Sequence, residues 1–210
     1  MSLRHPSRPM TPLRLYGKRV MLRPLTANDF REWSEVRRRN EDWLTVWEPS
    51  RPVHQSDPVT DRSAFTGRCL QRDRDRSNGS AYQFGMFLDQ HVAGEVNLNN
   101  VLRGAMQSGT IRYWVDQAHA GNGYIAEAVV VVIQFAFEQL GLHRVEICIV
   151  PRNERSRRVM EKLHIREEGL AQRYLEINGV WEDHIRYGMT AEEWQERRHE
   201  LLADWVEVAS

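Results

Sequence analysis

Residues Ala120–Ala128, AGNGYIAEA, close a strand-like segment, TIRYWV, and open the most apolar helical run of the chain. A strand that turns through Gly121 and Gly123 into a helix leaves the first amides, from Asn122 to Ala126, without intrahelical acceptors at the positive end of a helix dipole. A phosphate can sit on such amides, and the glycines let backbone approach it with no Cβ in the way. Glycine pairs also punctuate plain strand-to-helix turns, so these nine residues alone leave both readings open. The same letters fit G-x-G-x-x-A, a variant of the dinucleotide-binding fingerprint. That fingerprint wants an acidic residue closing the second strand of a parallel unit about 20 residues on. Here Glu146 sits inside its strand, and the strands upstream read as an antiparallel meander.

Working back from the corner, YQFGMFL and HVAGEVNLNNV are joined by Asp89-Gln90, a two-residue hairpin loop. In the second strand Val92, Gly94, Val96 and Leu98 share one face, while Glu95, Asn97 and Asn99 share the other. That polar face is either solvated or the floor of a pocket. Earlier still, RVMLRPLT reads as a first strand, and a helix from Asn28 carries Phe30, Trp33 and Val36. A bend with Trp43 and Trp47 and a proline-rich loop lead to a second helix over residues 57–76, whose tail RDRDRS reads as a solvated end.

Working forward, residues 123–140 form a helix apolar nearly all round, which calls for burial, and Gly141 ends it. HRVEICIV then reads as a buried strand parallel to TIRYWV, because a helix crosses between them. Asn153 can cap a helix running to His164, and two last strands meet at Asn178-Gly179, the strongest short hairpin signal in the chain. Thr190 and Glu193 make a capping box for a C-terminal helix with Trp194, Leu201 and Trp205.

The 210 residues, 41% hydrophobic and 28% charged, suit one domain with a sizeable core. Residues 1–12 are expected to be a flexible arm, 13–190 the domain, and 191–210 a helix packed on it. Basic and acidic residues balance at 29 each, which gives no reason to expect nucleic-acid or membrane attraction. Cys69 and Cys148 lie far apart without metal-ligand neighbours, so a reduced, cytoplasmic protein with no metal is expected. No secretory signal is legible, and the apolar run 128–137 is too short to span a bilayer.

Three ordered segments, YWVDQAHAGNGYIAEAV, FAFEQLGLHRVEICIVPRNERSRRVMEKL and EEGLAQRYLEINGVWEDHIRYGMT, together resemble the GNAT acyltransferases, and within them the RimJ/RimL group of ribosomal-protein N-terminal acetyltransferases. The resemblance covers residues 19–189. It implies an α/β (α+β) fold: a mixed, mostly antiparallel seven-stranded sheet with helices on both faces and a splayed parallel seam. It also implies acetyl-CoA as co-substrate. The pyrophosphate would lie on Gly121, Asn122, Gly123, Tyr124, Ile125 and Ala126, and the pantetheine arm in the seam, paired with backbone of Trp114 and Val115. Asn153 matches the asparagine that holds this arm in the family. Core packing and helix capping are the competing roles for Trp114 and Asn153. Three departures stand out: Ala120 replaces the usual Gln or Arg before the glycines, Ile125 replaces the small residue that closes that motif, and His164 replaces a helix-ending glycine.

The reaction the resemblance implies is direct attack of a neutral amine on the thioester, with no covalent enzyme. The family's usual tyrosine acid corresponds to Met160, and Ser156, one turn earlier on the same face, is where the RimL type carries a serine proposed to protonate the thiolate. Glu95 is the first candidate for general base and Glu176 the second, with Tyr113, Asp116 and His119 behind them. Glu41, Asp42 or Glu48 would attract a cationic peptide terminus entering past Trp43, Trp47, Tyr174 and Trp181. The acceptor is expected to be the N-terminal amine of a ribosomal protein. A small amine (amino acid, polyamine or antibiotic) on the same scaffold, a non-catalytic CoA-binding module, and a nicotinamide oxidoreductase are the alternatives. A monomer and a homodimer both remain open.

Overall fold

The computed structural model describes residues 13–206 except Val53, so the expected arm over residues 1–12 and the last four residues lie outside the described residues. In chain order the strands are β1 (Leu15–Tyr16), β2 (Met21–Arg23), β3 (Tyr82–Leu88), β4 (His91–Leu102), β5 (Ser108–Val115), β6 (Arg144–Ile149), β7 (Arg166–Ile177) and β8 (Val180–Thr190). The helices are α1 (Phe30–Arg39), α2 (Glu41–Thr45), α3 (Arg62–Ser77), α4 (Tyr124–Gln134), α5 (Glu154–Lys162) and α6 (Ala191–Trp205). The strands form one sheet in the order β1-β2-β3-β4-β5-β6-β8-β7, antiparallel at every seam but β5–β6.

The sheet has eight strands where seven were expected. The extra one is β1, which folds back on β2 through a turn closed by Gly17 N donating to Val20 O at 2.9 Å. Two residues are too few to show the alternation by which a strand is recognised. The hairpin signals translate directly: Asp89 and Gln90 have φ of 47° and 71°, Asn178 and Gly179 of 48° and 85°. Both turns therefore place two successive residues at positive φ, as two-residue hairpins between right-twisted strands require.

The parallel seam is short. Ser108, Gly109 and Thr110 face Arg144, Val145 and Glu146, and no β5–β6 pairing continues beyond them. From Ile111 to Val115, β5 keeps its β4 partner but has no strand on its other edge. This is the splay that the resemblance implies.

Two apolar clusters clamp the sheet. On one face α4 is buried from Ile125 to Ile133 and packs with α6, whose Trp194 is fully buried and stacks on Phe137 at 5.9 Å. Truncating a tryptophan buried to this degree typically costs about 3–5 kcal/mol, so α6 is integral to this face. On the other face α1 and α3 bring Trp33 and Phe65 together with Phe87 and Val92. Past this cluster, Asn97 and Asn99 on the polar face of β4 line a cleft.

Candidate active site

Gly121 and Gly123 both sit at φ +83°, a conformation that L side chains rarely adopt. The first intrahelical bond of α4 runs from Glu127 N to Gly123 O at 3.1 Å, so the amides of Tyr124, Ile125 and Ala126 have no backbone acceptor among the described residues. The corner is braced from behind. Glu127 is buried, accepts from the amides of Arg19 and Val20, and pairs with the Arg19 guanidinium at 2.9 Å. Asp116, just after β5, is also buried and bonds Arg39, Asn40 and the Ala118 amide. Burial alone would raise its carboxyl, but these partners hold it below its usual range, so it serves as an ionised brace. Cations gather around the amides: a Cβ on Gly123 would lie 3.4 Å from Lys162 Nζ and 3.5 Å from Arg19 Nη2.

The corner opens into a cleft of about 1590 Å³ that runs along the splay to the polar face of β4 and the Trp43–Trp47 bend. At the splay Asn153 caps α5, its Oδ1 accepting from Ser156 N at 3.1 Å. The capping role is therefore realised, and the amide nitrogen of the same side chain has no partner among the described residues. The Ser156 hydroxyl lines the cleft, also without a protein partner, and its carbonyl accepts from the Tyr113 phenol at 3.4 Å. Burial pushes that phenol well above its ordinary pKa, so Tyr113 remains a donor throughout the physiological range. Met160, by contrast, is completely buried core.

Val115 and Trp114 stand on the splayed strand. The Val115 carbonyl already accepts from Trp43 Nε1 at 3.1 Å, which leaves it one lone pair. The Trp114 ring lies under the Arg37 guanidinium at 5.2 Å and packs with the α1–α3 cluster.

The two carboxylates expected as bases have other work. Glu95 is wholly buried. Its Oε1 accepts from Trp33 Nε1 at 2.6 Å and Arg68 Nη2 at 2.9 Å, its Oε2 from Arg68 Nη2 at 2.8 Å and Arg72 Nη2 at 2.7 Å. Burial opposes its charge, yet the two guanidinium groups hold it far below the usual carboxylate range. The carboxylate thus accepts four hydrogen bonds from three side chains. Glu176 accepts from Gly179 N and from Ser50 Oγ at 2.9 Å, tying the β7–β8 turn to the proline-rich loop, and it does not line the cleft. Of the acids expected to attract a cation, Glu48 is bound bidentately by Arg37 at 2.6 Å, and Glu41 lines the cleft, whereas Asp42 does not. Tyr174 and Trp181, expected as walls, are exposed on the hairpin and are not part of the lining.

Arg68 and Arg72 were missed in the sequence. The second lies in the tail read as a solvated end, yet it points inward. The signal was spacing: the two arginines are four apart on a helix, beside the buried Phe65 and Cys69.

The model of the acetyltransferase (GNAT) domain matches residues 19–166. The chain belongs to the GNAT acetyltransferase family. Within it, a probable N-acetyltransferase of Bacillus subtilis, YjcK, is 37% identical over 81% of this chain and 93% of its own length. The Escherichia coli [ribosomal protein uS5]-alanine N-acetyltransferase is 28% identical over 87% of this chain and 93% of its own length. Among solved structures, Mycobacterium smegmatis RimJ in complex with CoA-disulfide superimposes with a TM-score of 0.82, at 31% identity, covering 96% of this chain and 97% of that one. In this GNAT acetyltransferase the glycine corner, the splayed seam and the N-terminus of α5 thus converge on one cleft.

Proposed function

We propose that this N-acetyltransferase carries acetyl from acetyl-CoA directly to the N-terminal amine of a protein, with a ribosomal protein as the acceptor class. The observation that carries the proposal is the open cleft joining the glycine corner to the splayed edge of β5. It continues past the splay toward Trp43, Trp47 and the β7–β8 turn, which gives an extended chain a way in. The relatives named for ribosomal-protein acetylation support the acceptor class.

The residues present fit the co-substrate. The free amides of Tyr124, Ile125 and Ala126, with Lys162 close by, suit a pyrophosphate. The unpaired edge of β5 suits an amide-bearing arm laid alongside it as a further strand, and the free Asn153 amide nitrogen can donate to that arm. Acetyl-CoA, when bound there, supplies an acyl group activated as a thioester.

In the transfer, nitrogen–carbon bond formation and carbon–sulfur bond cleavage require one proton to leave the amine and one to reach the sulfur. An N-terminal amine has a pKa of about 7.7–8.0, so a useful fraction is already neutral near pH 7.5 and water in the cleft can take the proton. Neither Glu95, saturated by its partners, nor Glu176, outside the lining, is needed for that step. The Ser156 hydroxyl delivers the proton at the sulfur, and the Tyr113 phenol fixes the first turn of α5 that carries it.

Calorimetric titration with acetyl-CoA, followed by thiol release against N-terminal peptides and small amines, tests the proposal. Binding with peptide-dependent release supports it. Release with small amines alone moves the acceptor to that class, and absence of CoA binding refutes the reading at its central corner.

A further inference from the structure

The protein as a whole is neutral, yet its cleft is not: nine arginine and lysine side chains line it against four carboxylates, Glu41, Glu48, Asp57 and Glu95. Three of the cations lie on α5: Lys162 reaches the glycine corner, where the proposed co-substrate carries its phosphates, Arg155 lies over the Trp43 ring at 4.4 Å, and Arg158 pairs with Glu154 at 3.4 Å. The surplus does not end there. On the floor opposite, two guanidinium groups share the single Glu95 carboxylate, leaving one positive charge uncompensated. Glu48 and Asp57 are each already paired, with Arg37 and Arg51.

Arg112 is the decisive residue. It projects from β5 on the same polar face as Asn97, its cross-strand partner, and it is exposed to the cleft. Its backbone pairs with Asn97 in the β4–β5 ladder, while among the described residues its guanidinium has no carboxylate within 4 Å and donates no hydrogen bond. The guanidinium thus stands free beside Arg68 and Arg72, which are both bound to Glu95. A guanidinium offers a two-pronged, always charged donor to a carboxylate or phosphate.

We infer that the acceptor half of the cleft recognises an anionic group, a carboxylate carried near the reactive amine, with Arg112 as its direct partner and the Arg68–Arg72–Glu95 cluster supplying the positive field. The location of the acceptor rests on the acetyl-transfer reading; the sign of its recognition does not. It reverses the expectation that acids near α2 attract a cationic terminus. The amine is neutral when it reacts, so a cationic wall does not oppose the reactive form, while an acidic group nearby is drawn in.

The test uses the intact protein loaded with CoA or acetyl-CoA. Peptide pairs identical except for Glu against Gln at positions two to four, and an amino acid against its amide, are compared in kcat/KM by thiol release and in affinity by calorimetry. The acidic member of a pair is expected to win by about tenfold. The gap should shrink in 0.5 M salt, on the order of a threefold change in screening length from low salt, collapse in Arg112→Gln, and return in part in Arg112→Lys. A preference in the peptide series assigns the anion to a side chain, and one in the amino-acid pair to an α-carboxylate. Equal use of both members, or an undiminished preference in Arg112→Gln, overturns the inference. If no amine is acetylated but the acidic members still bind tighter through Arg112, the anion site stands and the transfer reading falls. If neutral acceptors turn over as fast as acidic ones, transfer stands and the anion site falls.

Discussion

Replacing Glu95 by glutamine separates a structural charge from a catalytic base. The carboxylate is fully buried and takes four hydrogen bonds, from Trp33, Arg68 and Arg72. Glutamine has nearly the same shape but turns one acceptor into a donor, which then faces an arginine N–H, and it removes the only negative charge between two largely buried guanidinium groups. Breaking a buried ion pair from one side costs about 3–5 kcal/mol. For a chain of this size each kcal/mol moves the melting midpoint by about 2–4 °C, so the variant is expected to melt about 6–20 °C lower. The loss should depend on pH. Because the folded carboxyl titrates below its unfolded value, its stabilisation is complete above the unfolded pKa of about 4.3 and fades as the pH falls toward the folded pKa. The gap between wild type and Glu95→Gln in thermal melts should therefore be full at pH 7 and narrow below about pH 4. Acetyl transfer measured well below the variant's melting midpoint should fall by less than about tenfold. A variant that melts like wild type while kcat drops by the 10²–10⁴ expected of a lost general base would refute the assignment.

Ser156→Ala should lower kcat by about 10²-fold, the low end for a lost general acid, with little change in acetyl-CoA affinity; an unchanged kcat in steady-state thiol release would remove Ser156 from the proton path. Gly121→Ala adds a Cβ that meets nothing within 4 Å but places it at φ +83°, so calorimetry should show at least tenfold weaker acetyl-CoA binding from a shifted corner, and wild-type affinity would argue that these amides do not hold the phosphates. His164 ends α5 at φ +49°, and its backbone carbonyl accepts from Arg197 at 3.0 Å, a bond the side chain does not make. His164→Gly should therefore stabilise the fold by about 0.5–1 kcal/mol in chemical denaturation, whereas a loss of stability would mean the imidazole contributes more than the strained backbone costs.

Turns, caps and the buried helix were legible because each depends on a few neighbouring residues. Asn178-Gly179 and Asp89-Gln90 call for positive φ, Thr190 and Glu193 satisfy each other across one turn, and Val129–Val132 leaves no polar face to expose. The glycine corner was legible for the same reason, and the parallel seam was too, since one helix must cross between two strands that then run parallel; the splay was expected only from the resemblance. What the sequence alone could not settle was where polar side chains point once distant segments meet. Glu95 could be read as a free carboxylate only because Trp33, Arg68 and Arg72, 62, 27 and 23 residues away, are invisible to local pattern. The same holds for Glu176, bound by Ser50 across 126 residues, and for Val115, whose carbonyl is met by Trp43 from 72 residues back. Local chemistry determined which elements form and where the glycine corner lies. The partners that surround Glu95, and the excess of basic over acidic side chains in the cleft, came only with packing, because the charge state of a buried group is set by the neighbours that the whole fold delivers to it.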